Sequence, residues 1–129
     1  MGGGDGERAP GAVRRWAAGW LVGCGAEGVV EDAVTVLTEL VTNAWQAGAD
    51  RIAVLVEADA GVGVVRVCVR DDAPGVPCRR EPGPWDGRGR GLLMVEALAV
   101  RWGHHPLASE AGRPGKAVWA DLAWGRDGA

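Results

Sequence analysis

The stretch EGVVEDAVTVLTELVTNAWQAGAD, residues 27–50, carries the strongest helical signal in the chain. Val30, Ala33, Val34, Leu37, Leu40, Val41 and Ala44 recur at three- and four-residue spacing, so at about 100° per residue they gather on one arc. Glu31 and Asp32 suit the positive N-terminal end of the helix dipole, and Gly48 is a suitable stop. Directly after it, RIAVLVEAD (51–59) and GVVRVCVRD (63–71) read as two β-strands, with AGVG between them as a hairpin.

Upstream, APGAVRRWAAGWLVGCG places Val13, Trp16, Ala17, Trp20 and Leu21 on one face of an earlier helix that Gly23 and Gly25 end. Residues 1–8 are glycine-rich and read as a disordered tail. Downstream, DAPGVPCRREPGPWDGRGRG (72–91) loses all periodicity; a loop of that length in a small domain is usually functional. LLMVEALAV (92–100) is a short apolar helix, and RWGHHPLAS and GKAVWADLAW read as two more strands joined by the turn EAGRPG. The order helix, helix, strand, strand, loop, helix, strand, strand predicts an α+β two-layer sandwich, helices on one face of a mostly antiparallel sheet. Residues 9–124 form one domain in this reading, and 125–129 a C-terminal tail.

The 129 residues suffice for one hydrophobic core. With 47% hydrophobic and 24% charged residues, the chain reads as soluble and globular. A net charge of −3 gives no basic face for nucleic acid. No apolar run is long enough for a membrane span, and MGGGDGERAP lacks the regions of a signal peptide, so a cytoplasmic location is expected. Cys24, Cys68 and Cys78 show no C-x-x-C spacing, which argues against structural disulfides and a cysteine zinc site. Cys68 is expected as a small core residue, and His104 and His105 as surface or turn residues. Trp16, Trp20, Trp45, Trp102, Trp119 and Trp124 fall at core-like periodic positions, whereas Trp85 sits in the long loop and is expected to pack against its own domain.

Three stretches can carry chemistry. In ELVTNA, Glu39 and Asn43 are four apart and share a helical flank beside the core arc. They form either a solvated polar face or a carboxylate and amide oxygen of the kind Mg²⁺ and phosphoryl chemistry use. In VRDDAPG a strand delivers an acid into a turn; the acid is either a turn residue or an acceptor for an exocyclic amine such as that of adenine. In GRGRGLLMVEALAV, Gly87, Gly89 and Gly91 run into a helix N-terminus; the stretch is either an ordinary flexible helix entry or a cradle whose free N–H groups hold an anion. The glycine spacing is not that of a Rossmann fingerprint, and GRPGKA does not match a Walker A loop.

In that order the three resemble the small-domain members of the GHKL ATPase superfamily, with the Bergerat ATP-binding fold. They look most like the actinobacterial regulators related to anti-sigma-factor serine kinases. ELVTNA resembles the family's N box, VRDDAPG its first glycine box, GRGLLMVEALAVRWG its second and GKAVWADL its closing strand; the likeness covers roughly residues 10 to 124. It implies Glu39 as general base, Asn43 as Mg²⁺ ligand and Asp71 as the reader of the adenine amine. Gly75 would let the backbone approach the base; Gly89, Gly91 and Leu92 would meet the phosphates through backbone N–H groups. Arg88 and Arg90 would add positive charge there, residues 76–86 would form the lid, and Gly87 its hinge. The chain departs from the pattern at Ala73, where a glycine is usual, and at Ala117, where a hydroxyl is frequent; Asp72 competes with Asp71 as the pocket acid.

The function so implied is a serine/threonine kinase that moves the γ-phosphate of Mg-ATP to a small STAS-domain anti-anti-sigma protein, with room for a sigma factor as second partner and for a homodimer. The alternative is an ATP-dependent binding module without transfer. A histidine-kinase catalytic domain fits poorly, for there is no room for a dimerisation helix bearing a phosphoacceptor histidine.

Overall fold

In VVRVCVRD, Val65, Val67 and Val69 are buried while Arg66 and Arg70 are exposed, the period-two burial of a strand with one face on a core. This strand lies inside the sheet. The structure, a computed structural model, describes residues 9–73, 90–108 and 114–124. Its elements are α1 (Ala9–Gly23), a 3-10 turn (Glu27–Val29), α2 (Val30–Gln46), β1 (Ile52–Asp59), β2 (Val64–Asp71), α3 (Arg90–Leu98), β3 (Arg101–Ala108) and β4 (Pro114–Ala123). The four strands run in the order β1-β2-β4-β3, each antiparallel to its neighbours. The hairpin β1–β2 and the pair β3–β4 therefore meet through β2 and β4. Helices cover one face, and the expected α+β sandwich is present.

The core lies between α2 and the inward row of the sheet. Ala33, Val36, Leu37, Leu40, Val41 and Ala44 of α2 share one buried cluster with Val65, Val67, Val69, Val118, Ala120 and Leu122. The expected arc is turned slightly: Val36 is fully buried, while Val30 and Val34 are half-buried and line a groove shared with α1. Gly48, at φ +95°, ends α2 in the left-handed region that favours glycine.

Some expectations fail because burial depends on the neighbouring element, not on periodicity alone. α1 packs on α2 and touches β1 only lightly, so Ala17 and Leu21 are buried but Trp16 and Trp20 stay 49% and 38% exposed. α3 spans Arg90–Leu98 rather than 92–100, since the amide of Val100 donates to the carbonyl of Asp121 and takes the chain into β3. Cys68 and Trp119 are paired on the outer face of the sheet, not in the core, because side chains alternate along a strand. Burial raises the Cys68 thiol pKa there. Trp45, Trp102 and Trp124 do pack against the core, and both histidines are exposed within β3.

The outer face is ordered by Asp121, which is 1% exposed. It accepts two hydrogen bonds from Arg66, from Nε at 2.6 Å and Nη2 at 2.9 Å, and one from Arg101 Nε at 2.9 Å. The Arg66 guanidinium also lies over the Trp119 ring, 4.4 Å from its centroid. One carboxylate thus links β2, β4 and β3. The hydrogen bonds from Arg66, then from Arg101, lower the Asp121 pKa against the opposite effect of burial. A carboxyl lowered in the folded state contributes fully above its unfolded value of about 4 and loses that contribution as pH falls through the folded value. Asp121→Asn is therefore expected to lower the urea midpoint at pH 7 and to shrink the stability lost on acidification. Denaturation curves at neutral and acid pH check this, and identical curves for the two proteins would remove Asp121 from the balance.

Candidate functional site

The antiparallel register that builds the core also sets Asp71, the last residue of β2, opposite Lys116 near the start of β4. Both continue the inward row, beyond Val69 and Val118. The two side chains are 1% and 7% exposed, and Lys116 Nζ donates to Asp71 Oδ1 at 3.0 Å. The same oxygen accepts the amide of Ala73 at 2.8 Å, while Lys116 makes a longer contact of 3.5 Å to the Ala73 carbonyl. Asp71 Oδ2 is buried and has no hydrogen-bond partner among the described residues. Buried polar atoms are nearly always satisfied, so an orphaned carboxylate oxygen marks a place where a donor belongs. The exocyclic amine of a nucleobase is such a donor, and ATP fits this residue on that ground.

Asp72, the competing acid, is turned toward the segment after α2. Its Oδ1 accepts the amides of Asp50 and Arg51, at 2.8 and 3.0 Å. That clamp brings the segment after α2 to the end of β2, so the last turns of α2 and the Asp71–Lys116 pair stand at one end of the sandwich. Asn43 belongs to those last turns and is half-buried. Glu39, one turn earlier on the same flank, is also half-buried and borders the groove between α1 and α2 with Arg15, Thr35 and Thr38. Among the described residues, no group of three or more His, Cys, Asp or Glu could hold a metal ion. A Mg²⁺ ion here would be held by Asn43 together with phosphate oxygens, the usual manner for this ion.

Arg90, Gly91 and Leu92 form the first turn of α3, where backbone N–H groups lack helical partners and favour anions. The Leu92 side chain is 1% exposed and belongs to the core, so its backbone N–H is what it can offer a ligand. Gly75, Gly87, Arg88, Gly89, Trp85 and the expected lid, residues 76–86, lie outside the described residues.

Ala73 is buried in the core cluster, which accommodates its Cβ. Ala117 pairs with Arg70 on the outer face, so its missing hydroxyl does not bear on the pocket. The inward position after Gly115 belongs to Lys116, a residue the motif reading passes over. A signal was present: Lys116 is the single lysine in a chain of 14 basic residues. Only the strand register shows what it faces.

The family model for the histidine kinase-, DNA gyrase B-, and HSP90-like ATPases matches residues 28–124. Among solved structures, the histidine kinase domain of the blue-light activated histidine kinase of Erythrobacter litoralis EL346 is 25% identical over 74% of this chain, with a TM-score of 0.41. The chain spans 45% of that protein's length. No curated protein matches it.

Backbone approaches closely at Gly115, where a Cβ would lie 2.7 Å from the Asp71 carbonyl oxygen. Gly115→Ala must therefore push β4 from β2 beside the ion pair. It is expected to destabilise the fold by about 1–3 kcal/mol, the usual cost of overpacking. Thermal unfolding checks this, and an unchanged midpoint would show that the strands are not held so closely.

Proposed function

The chain belongs to the family of histidine kinase-, DNA gyrase B-, and HSP90-like ATPases, and from that premise we propose an ATP-binding regulatory protein that phosphorylates a hydroxyl on a small STAS-type antagonist protein. Family membership implies ATP binding, typically with Mg²⁺. The observation that carries the nucleotide reading is the buried, unpartnered Asp71 Oδ2 at the inward end of β2. The finer assignment to a serine/threonine kinase rests on Glu39 and Asn43, one turn apart on α2, and on the order of the motifs.

In this reading Asp71 accepts the adenine amine, and the backbone N–H groups of Gly91 and Leu92, with Gly75 and Gly89 and the charge of Arg90, cradle the nucleotide. Asn43 contributes a side-chain oxygen to Mg²⁺, which when bound neutralises phosphate charge. Glu39 holds the proton of the acceptor hydroxyl as the phosphoryl group leaves ATP. Phosphoryl transfer needs little more than positioning and charge stabilisation, so a small domain suffices.

A second reading is a binding module in which ATP only sets conformation. What favours it is Glu39's place at the border of the α1–α2 groove, a surface a protein partner could use without any base. Protein partners in either reading are a STAS-domain protein and a sigma factor, with a homodimer as a further assembly.

Incubation with γ-labelled ATP and candidate STAS-domain proteins separates the two readings. Label is expected on the STAS protein with the wild type, and a fall of at least about 100-fold with Glu39→Gln, in the range of a lost general base. Nucleotide binding without transfer to any candidate would favour the binding module; equal transfer by Glu39→Gln would sink the base. Asn43→Ala is expected to weaken binding of Mg-ATP while leaving metal-free ATP binding nearly unchanged. Calorimetry with and without Mg²⁺ reads that difference, and equal losses in both would take Asn43 out of the metal site.

A further inference from the structure

We infer that Lys116 reads the N1 edge of adenine, so that Asp71 and Lys116 recognise the base as a donor–acceptor pair. This deepens the ATP-binding reading above and rests on it, but is independent of phosphoryl transfer.

The chain places its single lysine where an ammonium is costly to bury. The arginines at 14, 15, 51, 66, 70 and 101 are all exposed, whereas Lys116 is 5% exposed. A buried ion pair that served stability alone could be replaced by apolar residues with little or no loss. One that served stability alone would also be expected to satisfy its own atoms, as the buried Asp121 does with three N–H donors. The Asp71–Lys116 pair does not. Asp71 Oδ1 carries two donors and Oδ2 none. Lys116 has three N–H bonds; one goes to Oδ1, one makes the long contact to Ala73, and the third has no acceptor among the described residues.

Among the described residues, the pair therefore offers an empty acceptor beside a spare donor. The Watson–Crick edge of adenine is complementary: the N6 amine donates, and the adjacent N1 accepts. Guanine presents an acceptor at O6 and donors at N1 and N2, and so needs two free carboxylate oxygens; Oδ1 is already occupied twice. Of the two purines, adenine fits. A flexible four-carbon stem with a compact ammonium can reach a ring nitrogen beside Asp71, where a planar arginine fork would span the whole carboxylate.

The test compares ATP with 1-deaza-ATP, in which N1 is a C–H group, by calorimetry on the full chain. The wild type is expected to bind 1-deaza-ATP about tenfold more weakly or worse, the scale of one hydrogen bond from a charged donor. Lys116→Met is expected to bind the two nucleotides alike. Because that variant leaves a buried carboxylate alone, Asp71→Asn/Lys116→Met serves beside it; it removes both charges and keeps an oxygen acceptor for the amine, and it too should not discriminate. Equal binding of the two nucleotides by the wild type would overturn the inference, as would full discrimination by either variant. Wild-type protein that binds ATP but ignores N1 defeats only this inference. Protein that binds no ATP defeats the nucleotide reading as well.

Discussion

The register of β2 against β4 is the constraint on which the rest depends. It pairs Val65 with Leu122, Val67 with Ala120 and Val69 with Val118, and these six side chains form the floor on which α2 rests. The same ladder pairs Arg66 with Asp121 and Cys68 with Trp119 on the opposite face. A slip of one residue would turn the apolar row to water and the charged row into the core. Inner packing and outer ion pairing thus select one alignment, and agreement between independent preferences is what makes a pairing unique. Beyond the last apolar pair, that alignment brings Asp71 and Lys116 together across 45 residues of sequence.

The two buried acids of the sheet differ in how fully their oxygens are hydrogen-bonded. Asp121 is saturated by arginine donors that reach it from β2 and β3, and its role is to tie the strands. Asp71 is as deeply enclosed, yet one oxygen is left without a donor among the described residues. An unsatisfied buried acceptor costs free energy, on the order of 1–3 kcal/mol, that the fold must offset elsewhere. The offset is available because α2, β2 and β4 already share a continuous apolar core beside it.

The proposed chemistry asks little of side chains and much of placement. An acid at a strand end, an amide on the last turns of α2 and the bare amides of α3's first turn come from three parts of the chain. The clamp from Asp72 to the amides of Asp50 and Arg51 holds the first two at one end of the molecule. The association of α2 with α3 over the sheet sets the third relative to them. Backbone amides and one carboxylate need no local motif to be chemically competent, only a fold that aims them.

Much of this was legible in the residues. Alternation in GVVRVCVRD and three-to-four spacing in EDAVTVLTELVTNA sufficed for strands, the main helix and the α+β sandwich, because these patterns are local and set by backbone geometry. The order of ELVTNA, VRDDAPG and the glycine loop pointed to the family that the match over residues 28–124 shows. The sequence did not disclose which face a strand residue takes, or what lies across from it. Cys68, Trp119 and Ala117 are outward, Trp16 and Trp20 are left uncovered by α1's shallow contact with the sheet, and α3 ends two residues early, ahead of the Val100–Asp121 hydrogen bond. Lys116 is the clearest case. Its type and position were plain in the sequence, but its burial against Asp71 was decided by tertiary structure, since pairing between distant strands is chosen by the packing of the whole core.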